Sequence, residues 1–211
     1  MRSKFDEQLA LLNRDLTKMG SLCEEALALA AKALANADGQ TAAKIAPIDS
    51  EIDQMERTIE SLCLKLLLQQ QPVARDLRQI SAALKMITDM ERIGDQASDI
   101  AEIIGFLNGR IGTDAQYICQ MAVAAMRMVT ESVEAYVKRD VAMAEATIQH
   151  DDVVDDLFLK VKESLIQMIS ENPKDGEYAL DLLMIAKYFE RIGDHATNIA
   201  EWVVFSVTGV H

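Results

Sequence analysis

The sequence predicts an all-α chain built from two tandem copies of one three-helix unit. Three observations carry this. Ala, Leu, Met, Glu, Lys and Gln dominate a chain of 211 residues that holds only 3 Pro and 9 Gly, a composition that favours helix over loop-rich or β structure. Few breaks punctuate it, at Asn36-Ala37-Asp38-Gly39, Gln71-Pro72, Asn108-Gly109-Arg110-Ile111-Gly112, Lys138-Arg139-Asp140 and Glu171 to Gly176. And it repeats itself: residues 91–102 read ERIGDQASDIAE and residues 190–201 read ERIGDHATNIAE, nine of twelve positions identical.

The breaks leave six helical segments, roughly 3–36, 41–70, 74–107, 114–138, 141–170 and 177–207. Short connections make consecutive helices antiparallel neighbours. Asp38 aligns with Asp140, and Asp49 and Asp53 with Asp151 and Asp155, at an offset of 102, against 99 for the later motif. The difference falls in the turn between the second and third helices of each copy, where length changes are tolerated. The copies are therefore residues 1–108 and 109–211. Helix six carries Leu182, Ile185, Phe189, Ile192, Ala196, Ile199 and Val203 in steps of three and four. The third helix carries Ala83, Met86, Met90, Ile93, Ala97, Ile100 and Ile104 in the same register. These are bundle seams, with methionine as core filling.

With 34 acidic against 21 basic residues, the net charge is −13. That charge disfavours nucleic acid and anionic lipid and attracts cations and basic protein surfaces. Charges interrupt every helix-length window, so no membrane span is expected. The opening MRSKFDEQLALLNRD has acids early and no apolar stretch, unlike a signal peptide. Cys23, Cys63 and Cys119 are scattered, with no CxxC pair, and read as reduced core residues. Together these features point to the cytoplasm.

The acids carry the functional signal. Glu91, Asp95 and Asp99 stack on one helix face at i, i+4 and i+8, and Glu190, Asp194 and Asn198 repeat them. Asp49 with Asp53, and Asp151 with Asp155, do the same on the preceding helices. Like charges four apart destabilise a helix by roughly 0.2–0.5 kcal/mol per pair. A lone acidic stripe is usually a solvated face. Here, however, each hairpin brings two stripes level across its turn, so each copy gathers four or five side-chain oxygens at one height. Oxygen sets of this kind suit Mg²⁺, Mn²⁺, iron or Zn²⁺. The expected sites are Asp49, Asp53, Glu91, Asp95 and Asp99 in one copy, and Asp151, Asp155, Glu190, Asp194 and Asn198 in the other. Gly94 and Gly193 lie mid-helix within the motif, either for close helix approach or for room beside the carboxylates. Arg92 and Arg191 read as partners of the neighbouring acids, and His195 as a helix-surface residue. His150 either joins a metal site or simply sits near the turn. No His follows an acid by three residues, as di-iron bundle oxidases require. HExxH, a P-loop, GxGxxG and a nucleophile with a helper are also missing. A non-enzymatic protein is the expectation, with a metal store or metal-dependent enzyme on a helical scaffold as the alternative.

The doubled ERIGD, the stretch Gln71-Pro-Val-Ala-Arg75-Asp76-Leu-Arg78, and the opening Phe5-Asp-Glu with Met19-Gly20 resemble the PhoU family of phosphate-signalling proteins over essentially the whole chain. The resemblance implies two three-helix bundles related by a pseudo-twofold. It implies restraint of phosphate uptake and of phosphate-starvation signalling, through contact with the ATPase subunit of an ABC phosphate transporter and with a membrane sensor histidine kinase. It further implies bound iron, zinc, magnesium or manganese on the acidic motifs, and a homodimer. The second copy departs from the family at Asn172 to Tyr178, so a partner contact through the turn falls to the first copy, at Arg75, Asp76 and Arg78. The same three residues also suit simple capping of their helix.

Overall fold

The computed structural model describes residues 2–69, 72–107, 109–110 and 115–210; Met1, Gln70, Gln71, Asn108, residues 111–114 and His211 lie outside them. Eight α-helices and no strand occur among the described residues. They are α1 (Arg2–Asn36), α2 (Gly39–Ala42), α3 (Ile45–Gln69), α4 (Ala74–Phe106), α5 (Gln116–Lys138), α6 (Val141–Gln149), α7 (Asp151–Glu171) and α8 (Gly176–Thr208), with a 3-10 turn at Pro173–Asp175.

Two of the six expected helices are thus each divided in two. Pro47 divides the first. A helix continuous from Gly39 would need the amide that Pro47 lacks and would drive its ring into the carbonyl four residues back. The chain restarts instead at Ile45, which leaves Pro47 in a first turn that tolerates it. Gln149 stands at the equivalent place in the second copy, so α6 runs on for nine residues. It ends in a tightened turn at His150, whose amide donates to the carbonyls of Ala146 (3.2 Å) and Thr147 (3.0 Å). The aligned aspartates are N-caps: Asp38 accepts from the amides of Gln40 and Thr41, and Asp140 from that of Met143.

α1, α3 and α4 form one bundle, and α5, α7 and α8 the other. The bundles meet along α4 against α8 and α1 against α5, so equivalent helix packs on equivalent helix. Polar contacts show the same exchange. Asn198 donates to Asp89 (3.1 Å), and at the mirrored positions Tyr188 hydrogen-bonds Asp99. Reciprocal contacts of this kind are what a twofold relation produces. The antiparallel α4–α8 register also places Lys85 over Trp202 and Arg78 beside Gly209, and its midpoint falls at Gly94 and Gly193. α1 and α5 approach closely because Gly20 has no side chain: a Cβ there would lie 3.0 Å from Val133 Cγ1.

Every residue of the two seams read from the sequence is buried. Leu12, Leu16, Met19, Leu27 and Ile52 are among the large side chains sealed around them. Cys23 and Cys63 are core residues whose thiols burial pushes up to about 12, and Cys119 is half-buried. The end of the junction is tied down by Arg110, which pairs with Asp175 (2.7 Å) and lies 4.1 Å over the Tyr178 ring.

Candidate functional site

α3 and α4 present their acids to each other where Gly94 opens a gap. Asp49, Asp53 and Asp95 each bring one carboxylate oxygen to within 4.8 Å of the other two. Asp49 is the innermost. Its Oδ2 accepts from the Ser98 hydroxyl (2.8 Å), and its Oδ1 is buried without a hydrogen-bond partner. That Oδ1 occupies the space above Gly94, only 2.7 Å from where a Cβ would stand. The glycine therefore serves both readings at once, since close approach of the helices is what admits the carboxylate.

Electrostatics confirm the crowding. Burial raises the Asp49 pKa, with Ser98 opposing and Asp95, Asp53 and Asp99 adding to the rise. Burial and Asp95 raise Glu91. Arg92 neutralises part of the outer edge, at 2.9 Å from Asp95 and 3.5 Å from Glu91. A buried carboxylate oxygen without a donor, facing two other carboxylates, offers oxygens that a hard cation can accept. Ser98 and Glu56 belong to this neighbourhood but were not singled out in the sequence. Burial and its neighbours Glu60 and Asp53 raise Glu56, which continues the α3 stripe one turn beyond Asp53.

The second copy is similar but not equal. Asp151 Oδ1 faces Gly193 at 3.0 Å from a Cβ position. Burial, then Asp194, Asp155 and Glu190, push its pKa up to about 6. Asp155 and Asp194 are raised as well, by burial first and Glu190 second. Thr197 replaces Ser98, and its hydroxyl is buried without a partner, so Asp151 lacks the donor that Asp49 has. Lys187, which has no basic counterpart in the first copy, ion-pairs with Glu190. Among the described residues, only the first copy brings three ligand atoms within 4.8 Å of one another.

The ends of both expected sets turn elsewhere. Asn198 reaches across to Asp89, as does His195 (2.8 Å), and Asp99 meets Tyr188. These residues belong to the contact between bundles, because a step of eight residues rotates the side chain from the α3 side of α4 toward α8. His150 pairs with Glu131 of α5 (3.2 Å), away from the acids. At the first turn of α4, Asp76 accepts from the Val73 amide (3.3 Å), Arg75 is exposed and Arg78 is half-buried.

A sequence profile of the PhoU domain matches residues 16–104 and again 118–203. The chain is 36% identical to the phosphate-specific transport system accessory protein PhoU homolog of Clostridium acetobutylicum, over 99% of this chain and 96% of that one. It is 34% identical to the homolog of Pseudomonas aeruginosa, over 98% and 86%. The crystal structure of PhoU from Pseudomonas aeruginosa superposes with a TM-score of 0.93 at 34% identity, covering 98% of this chain and all of that one. That of the phosphate transport system regulatory protein PhoU from Streptococcus pneumoniae superposes at 0.88 with 26% identity, covering 98% of each.

Proposed function

We infer, for a chain that belongs to the PhoU family, that it is a non-enzymatic regulatory adaptor of phosphate transport, and that a cation held by Asp49, Asp53 and Asp95 completes its structure. The observation that carries the metal half of this reading is the buried, donorless Asp49 oxygen above Gly94. The carboxylates suit Mg²⁺, Mn²⁺ or iron, with Zn²⁺ as the borderline case. Such an ion would neutralise the facing acids and fix α3 against α4, and Glu91 would stand at the edge of its shell. The second acid set, Asp151, Asp155, Glu190 and Asp194, is the weaker site. Metal analysis of the purified chain tests this assignment. Asp49→Asn or Asp95→Asn should lower the bound metal by about one equivalent, and Asp194→Asn by less. Parent-level metal in all three variants would remove these residues as ligands.

The regulatory half rests on full-length similarity to transport-system accessory proteins. No helix among the described residues is long and apolar enough to cross a membrane, so the chain reaches membrane partners by a surface contact, which we place in the cytoplasm. The partners we propose are the ATPase subunit of the phosphate transporter and a sensor histidine kinase, with uptake and phosphate-starvation signalling restrained while the contact lasts. An adaptor acts only by binding one state of its partner better than another. We place the contact at the first-copy tip, at Arg75, Asp76 and Arg78, and propose a homodimer as the working assembly. Co-purification from phosphate-replete cells tests the contact. Arg75→Ala with Arg78→Ala should lower transporter ATPase recovery several-fold at unchanged helicity, and parent-level recovery would move the interface elsewhere.

A further inference from the structure

We propose that the guanidinium groups of Arg75, Arg78 and Arg139 form a binding site for a small dianionic oxyanion of the inorganic phosphate class, built across the two repeats. Arg139 closes α5 with a left-handed backbone, φ 57°, which is strained for a residue with a Cβ. Ala37 holds the same conformation at the equivalent place, φ 49°, so the turn is shared and the arginine is particular to the second copy. The turn sends the Arg139 side chain onto α4, where Nη1 donates to Gln79 Oε1 (3.3 Å). The Gln79 main-chain carbonyl accepts from the Tyr136 hydroxyl (2.9 Å), and its side-chain Nε2 donates to Asn13 Oδ1 (3.5 Å). Gln79 follows Arg78 directly and Arg75 by one helical turn, so the Arg139 side chain reaches the turn of α4 that carries both.

None of the three is in an ion pair among the described residues, although the chain has 34 acids against 21 bases. The acids nearest in sequence, Asp76 and Asp140, already accept from the Val73 and Met143 amides. The Arg78 guanidinium packs by Gly209, its Nε 3.6 Å and its Cζ 3.7 Å from where a Cβ would stand, and Nε is buried with no acceptor. Burial, then Arg75, and also Arg78 lower the Arg139 pKa, with Tyr136 and Asp76 opposing. The opposite tip provides the contrast: Arg110, whose role there is structural, is paired with Asp175. Three planar forks from two helices supply more donors and charge than one carboxylate can use, whereas a tetrahedral dianion offers four acceptor oxygens. The net charge of −13 does not prevent this, because charges farther than about 8 Å away are largely screened at physiological salt.

Calorimetric titration of the chelator-treated chain with inorganic phosphate tests the site, at fixed ionic strength in chloride and with succinate in a parallel arm. Saturable one-to-one binding of phosphate is expected, with succinate at least tenfold weaker. Arg139→Gly and Arg75→Gln should each lose about tenfold or more in affinity. Glycine suits the left-handed turn and Arg75 is exposed, so both variants should keep the parent thermal midpoint. Absence of saturation in the millimolar range overturns the proposal, as does parent-level binding by both variants. Succinate binding as tightly as phosphate would overturn the oxyanion class and leave a carboxylate-docking surface. No partner is present in this titration, so its outcome is independent of the docking reading above.

Discussion

Gly94→Ala should destabilise the chain by about 1–3 kcal/mol, the usual cost of overpacking a close contact, and should abolish metal retention in the first copy. On helix propensity alone the same change would stabilise by about 1 kcal/mol, so the two effects oppose each other and the contact decides. The added methyl would meet Asp49 Oδ1 at 2.7 Å and Ile52 Cδ1 at 3.0 Å. Ile52 is fully buried and cannot swing away. Asp49 can move only by breaking its bond from Ser98, which withdraws it from Asp53 and Asp95. Gly193→Ala is the internal comparison. There the nearest atoms are Asp151 Oδ1 at 3.0 Å and Val154 Cγ1 at 3.5 Å, and no hydroxyl holds Asp151 in place. A small rotation of that carboxylate frees the space, so the change should be near neutral in stability. Chemical denaturation of both variants, with metal analysis alongside, checks the pair. Equal losses at the two glycines would mean that the α3–α4 gap is not the reason for them.

The periodicity of the sequence was enough for the bundles because apolar spacing reports which face is buried, and both seven-residue seams are buried in full. The repeat also made Asp38 and Asp140 legible as equivalent, and both proved to be caps. The division at Pro47 is legible too, in a residue whose missing amide forbids the helix interior. The fold brings fewer of these acids together than helical spacing alone suggests. Spacing of i, i+4 and i+8 places acids on one face of an isolated helix, yet α4 touches α3 on one side and α8 on the other. Asp99 and Asn198 sit where that face has turned toward the second contact. Only the register of α4 on α8 decides this, and that register is a tertiary property. Ser98 and Thr197 look interchangeable as neighbours in sequence, and differ only because one hydroxyl finds a carboxylate and the other does not.

Metal-free protein should be more stable near pH 5 than near pH 8, and the second acid set should be the main cause. The folded-state pKa of Asp151 is pushed up to about 6 from 3.8. A raised carboxylate pKa means that the folded chain holds the proton more tightly than the unfolded chain. Between roughly pH 4 and pH 6 the native state therefore binds more protons, and stability falls as pH rises through that window. Asp49, Glu91, Asp155 and Asp194 are shifted in the same direction. The Asp38 cap works oppositely: hydrogen bonds from the Thr41 hydroxyl and amide lower its pKa, and its contribution is lost only as pH falls through that lowered value. Solvent reaches the acid clusters and screens them, so the expected change in thermal midpoint is about 2–4 °C, equivalent to about 1 kcal/mol in a chain of this length. Asp151→Asn should raise the midpoint at pH 8 and flatten the profile, because it removes the charge that the neighbouring carboxylates oppose. Added Mn²⁺ should raise the midpoint at pH 8 more than at pH 5, since the ligands must be ionised to bind it. At a hundredfold excess over its dissociation constant a bound ion contributes about 2.7 kcal/mol, enough to reverse the slope. Asp49→Asn should remove that metal-dependent rise while leaving the Asp151 profile in place. A midpoint that climbs from pH 5 to pH 8 without metal would mean that the acids are not held against one another as the geometry requires.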